Sequence, residues 1–140
     1  MTPKRLPEPQ QATCHLPGIS DQTPSRARHF TADHLNRWGL QEHTVDMAEL
    51  ITSELATNAI RHGGDGLVTL TLFIPAPLPL LKIAVTDRGR VGGIARPTLP
   101  GPDAESGRGL AMVEAVAALL SHKHTIEPPT TTVWAMLRLA

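Results

Sequence analysis

Glu54 and Asn58 lie four residues apart in a run, Val45 to His62, whose apolar spacing predicts a helix. Residues four apart on a helix share a face, one turn from each other. A carboxamide oxygen at Asn58 suits a hard Mg²⁺ ion that keeps several waters and bridges to phosphate oxygens. A carboxylate one turn away, at Glu54, could orient or deprotonate an attacking hydroxyl. Further along, Asp87 follows an apolar stretch ending at Val85 and precedes Gly89, where the backbone can turn tightly. Such a carboxylate, buried at the floor of a cleft, could accept a hydrogen from the exocyclic amino group of adenine. Gly107 and Gly109 flank Arg108 just before a third helical pattern. At a helix start, unpaired amides and the positive end of the dipole attract phosphate, and glycines allow close approach. Each pattern by itself also fits a plain surface: a polar helix face, an Asp after a strand, a helix-start turn. Together, at three element edges, they point to one nucleotide pocket.

The elements that must hold these residues follow from periodicity. The chain has 140 residues, a length that fits one domain with its own core. Residues 1–22, with Pro3, Pro7, Pro9, Pro17 and Gly18 among polar neighbours, read as a flexible leader, which leaves 23–140 as the folded domain. Thr23-Pro24 is a helix-start signal, Thr23 as N-cap and Pro24 at the first helical position. Ala27, Phe30, Leu35 and Trp38 then recur at helical spacing up to Gly39. The second helix runs from about Thr44, with Ala48, Ile51, Leu55 and Ala59 as its apolar stripe, to Gly63-Gly64. Residues 67–74 alternate apolar and Thr, and 81–85 alternate again, which predicts an antiparallel hairpin across Pro75, Pro77 and Pro79. Residues 88–106 read as a mobile loop, 109–120 as a helix, and 122–126 and 131–139 as two closing strands. The order α-α-β-β-loop-α-β-β gives an α+β two-layer sandwich, about four mainly antiparallel strands with helices on one face.

Composition narrows the function class. Thirteen basic residues balance thirteen acidic ones, so there is no basic excess of the kind nucleic-acid backbones require. No run approaches the roughly 20 apolar residues of a membrane span, and a single cysteine, Cys14, cannot form an internal disulfide. A cytoplasmic protein without nucleic-acid or membrane partners is the expectation.

The three patterns, in this order, resemble the GHKL ATP-binding superfamily, which includes gyrase, heat-shock chaperone, mismatch-repair and histidine-kinase ATPase domains. Glu54 to His62 resembles its N box, Asp87 to Arg90 its adenine-binding G1 box, and Gly107 to Leu110 its G2 box. Ser53 to His62, Ser106 to Glu114 and Thr132 to Ala135 are more narrowly similar to the anti-sigma-factor serine/threonine kinases and their actinobacterial relatives. The resemblance spans roughly residues 23 to 139. It implies the two-layer GHKL (Bergerat) fold, ATP as ligand with Mg²⁺ chelated by Asn58, and Glu54 as general base. Asp87 and Gly89 would lie at the adenine, with Thr132 beside Asp87 supporting an ordered water, and Gly107, Arg108, Gly109 and Leu110 would line the phosphates. It implies a regulatory protein that passes the γ-phosphate to Ser or Thr of an antagonist protein while holding a sigma factor inactive; relatives often form homodimers. Histidine kinases usually carry Asn where this chain has Glu54, which favours the serine-kinase branch. One departure is Val91, at the second glycine position of the G1 box, where a β-branched residue resists positive φ. That departure keeps a second expectation open, a non-catalytic protein-binding module with weak or structural nucleotide binding.

Overall fold

A computed structural model describes residues 9–18, 20–62, 66–88, 112–113, 117–126 and 129–139. Two helices, α1 (Thr23–Arg37) and α2 (Glu42–His62), pack on one face of a five-stranded sheet formed by β1 (Gln10–Pro17), β2 (Leu67–Ile74), β3 (Leu80–Arg88), β4 (Leu119–Thr125) and β5 (Thr130–Arg138). The strand order is β1-β2-β3-β5-β4 and every neighbouring pair is antiparallel. This is the α+β sandwich expected from the pattern, with a fifth strand added. Among the described residues, no helix is long and apolar enough to cross a membrane.

The strand alternation predicted from sequence decides which face is covered. Val68, Leu70, Leu72 and Ile74 of β2, Leu81, Ile83 and Val85 of β3, and Val133, Ala135 and Leu137 of β5 are all buried. They meet Ala48, Ile51, Leu55 and Ala59 of α2, the stripe read from the helical period. Each fully buried Leu, Ile or Val side chain contributes roughly 1.5–3 kcal/mol, so this seam dominates stability. Ala27, Thr31 and Leu35, four apart, form the buried stripe of α1. Between the two helices the hydroxyls of Thr31 and Thr52, both fully buried, lie 3.0 Å apart and satisfy each other. Gly39 ends α1 as predicted. Its φ of 77° is open to glycine, and the Leu40 amide bonds to the Leu35 carbonyl while the Gly39 amide bonds to that of Asn36. That pair of bonds is a Schellman closure.

Four expectations are corrected. Residues 10–17 are not part of a leader but form edge strand β1, in register with β2 from Gln10↔Ile74 to Pro17↔Leu67. Thr23 is not the N-cap of α1. Gln22 occupies that position, while the buried Thr23 hydroxyl donates to the Pro17 carbonyl and ties α1 to β1. Helix α2 starts two residues before Thr44, at Glu42. The apolar run expected to stay helical to Leu120 turns into β4 at Leu119, because Leu119 and Leu120 pair with Met136 and Ala135. The loop expected over 88–106 lies outside the described residues except Arg88, which ends β3.

Candidate nucleotide-binding site

Helix direction places the polar residues. Helix α2 begins beside the end of β5, where Gln41, His43, Thr44 and Met47 line a cavity of about 450 Å³ with Leu137 and Arg138. It finishes near the start of β2, whose Val68 pairs with Asp87. Asn58, on the last turns of α2, and Asp87, near the end of β3, therefore occupy the same end of the molecule, away from that cavity.

Asn58 is buried, with 8% exposure, on a helix face that packs against the sheet. Its Oδ1 has no hydrogen-bond partner among the described residues. A buried amide oxygen left unpaired costs about 1–3 kcal/mol, so an atom presented in this way is a candidate ligand-binding group. An uncharged oxygen presented without a competing donor fits a hard cation such as Mg²⁺. Glu54 is half-buried one turn earlier on the same helix, in part open to solvent.

Asp87 sits inside β3 rather than in a turn after it, opposite Val68 on one side and Thr131 on the other. It follows Ile83 and Val85 on the covered face and is itself only 6% exposed. Burial raises its pKa from the ordinary 3.8 to about 6. Desolvation disfavours the charged form. A carboxylate held at such cost within an apolar wall is a strong, directional acceptor, the property that recognition of an amino group on a flat base requires.

Thr132 is not beside Asp87. It pairs with Thr86, hydroxyl to hydroxyl at 2.8 Å, on the opposite face of the sheet. The residue directly across from Asp87 is Thr131. Directly opposed residues of an antiparallel pair share a face, so Thr131 holds the position expected of Thr132. The strand period contained this signal, since Thr131 lies two and four residues before the buried Val133 and Ala135. Gly89, Gly107, Arg108, Gly109 and Leu110 lie outside the described residues. The structure thus brings Asn58 and Asp87 to one end of the sandwich, with Glu54 one helical turn from Asn58, sets Thr131 opposite Asp87, and turns Thr132 away.

The sequence model of one family, the Histidine kinase-like ATPase domain, matches residues 20–137. The chain belongs to that family. No curated protein matches the chain. Membership in the histidine kinase-like ATPase family implies ATP binding. The match takes in both helices and β2 to β5 almost to its end, and starts after β1. β1 is thus an edge strand laid beside the matched domain, held there by the β2 ladder and by Thr23.

Proposed function

We propose that this histidine kinase-like ATPase domain is a regulatory protein of the anti-sigma-factor type that transfers the ATP γ-phosphate to a Ser or Thr of an antagonist protein. The observation that carries the reading is the pair on α2: Asn58, whose buried oxygen has no partner among the described residues, and Glu54, a half-exposed carboxylate one turn away. Asn58 would hold Mg²⁺, which when bound neutralises phosphate charge. Asp87 would accept from the adenine amino group. Glu54 would accept the proton of the incoming Ser or Thr hydroxyl as its oxygen bonds to the γ-phosphorus. The bond from that phosphorus to the β,γ-bridging oxygen breaks, and ADP leaves with the electron pair. Controlled release of a sigma factor by the phosphorylated or unphosphorylated antagonist would make the reaction a transcriptional switch.

A second reading, a non-catalytic module that binds a sigma factor or antagonist with nucleotide as a structural ligand, is favoured by Val91 in the G1 box. The two separate on Glu54→Gln. With radiolabelled Mg·ATP and candidate antagonist proteins, we expect wild type to label the antagonist on Ser or Thr. Glu54→Gln should lose transfer by roughly 100- to 10,000-fold, the range for a removed general base, while binding ATP as wild type does. Unchanged transfer would remove Glu54 from its role. Tight ATP binding without transfer to any antagonist would leave the non-catalytic reading standing.

A further inference from the structure

One cross-strand row traverses the whole sheet at the end where Asp87 lies: Leu16, Val68, Asp87, Thr131 and His124, each the register partner of the next. Its first two members are buried apolar residues and its last three are polar. His124 lies on edge strand β4, and two observations put it on the helix-covered face. It is two turns of the strand period from Leu120, which packs against the core, and it opposes Thr131, which shares the face of buried Val133. His124 Nδ1 lies 3.2 Å from Thr131 Oγ1 in a partly buried contact.

A threonine hydroxyl has one donor and two acceptor sites and turns freely unless a neighbour fixes it. With the imidazole nitrogen taking one of those sites, the Thr131 hydroxyl is tethered on the face it shares with the buried carboxylate of Asp87, with capacity left for a further bond. We propose that His124 is a positioning residue for base recognition: through Thr131 it presents a preset hydroxyl next to Asp87 to the edge of the adenine ring. This rests on the ATP-binding reading of Asp87. The gain is preorganisation, since a hydroxyl already aimed loses no rotor freedom when the base arrives. The same pair of groups occurs at the other edge of the sheet, where His15 Nδ1 lies 3.0 Å from Thr69 Oγ1. That pair is on the opposite face and exposed, which makes it an internal control.

The test is calorimetric titration of full-length protein with Mg·ATP for wild type, His124→Leu, His124→Asn, Thr131→Val, the His124→Leu/Thr131→Val double variant, His15→Leu and Asp87→Asn, each checked for a cooperative melt. We expect His124→Leu and Thr131→Val each to bind about tenfold more weakly, the worth of one lost hydrogen bond. The double variant should bind no more weakly than Thr131→Val, because residues acting through one another are not additive. Asn offers a polar atom near the place of Nδ1 and should restore affinity to within about twofold, and His15→Leu should match wild type. Unchanged affinity in His124→Leu, additive losses in the double variant, or no rescue by Asn would overturn the role of His124. Failure of the underlying reading looks different: wild type would bind no Mg·ATP, or Asp87→Asn would bind it as tightly as wild type, and the inference would fall with it.

Discussion

Asp87 is costly to the empty protein, and that cost is measurable. Its pKa is about 6 in the folded chain against an ordinary 3.8. Between these values the folded state holds a proton that the unfolded chain has released. A raised carboxylate pKa therefore favours folding most at pH below about 4 and loses that contribution as pH rises through about 6. Above that window the buried charge works against the fold. Asp87→Asn removes the charge but keeps a polar group needing partners, so it recovers part of the cost. In chemical denaturation without nucleotide, we expect Asp87→Asn to be more stable than wild type at pH 7 by on the order of 1 kcal/mol. The advantage should vanish by about pH 4. A variant less stable than wild type at pH 7 would mean that the carboxylate has compensating partners in the folded chain.

At the scale of elements, α2 serves both core and site, and its setting depends on α1. The Thr31–Thr52 hydroxyl pair is the buried polar contact between them. Thr31→Val alone strands the Thr52 hydroxyl and should cost about 1–2 kcal/mol, whereas Thr31→Val with Thr52→Val should return to near wild-type stability. Denaturation midpoints of the three proteins check this, and additive losses would contradict it. The elements differ in how plainly the sequence announces them. Helix α2 and strands β2, β3 and β5 carry long, clean periods because one face of each is fully buried. Strand β1 is bracketed by Pro9 and Pro17, and its inward residues Ala12 and Cys14 are only half-buried, so its alternation is faint. β4 is also an edge strand. Its apolar start, Leu119-Leu120, extends the preceding helical pattern of the sequence, and only pairing with β5 shows where the strand begins.

For the molecule as a whole, the site could be read wherever chemistry and local period coincide. Glu54 and Asn58 share a helical face by spacing alone, and Asp87 keeps phase with buried Ile83 and Val85. What sequence reading missed depends on register. A slip of one residue along a strand exchanges the two faces of a sheet, which is the whole difference between Thr131 beside Asp87 and Thr132 beside Thr86. The contact of His124 with Thr131 depends likewise on the pairing of β4 with β5, which no local period announces. The central claim is that residues from α2 and β3, separate in sequence, grip a single Mg·ATP. Its most direct test is titration of wild type, Asn58→Ala and Asp87→Asn with a fluorescent ATP analogue, with Mg²⁺ present or chelated. The expected result is micromolar binding by wild type, weakened at least about tenfold in each variant, with removal of Mg²⁺ weakening wild type but making little further difference to Asn58→Ala. Wild-type affinity in either variant would contradict the shared pocket.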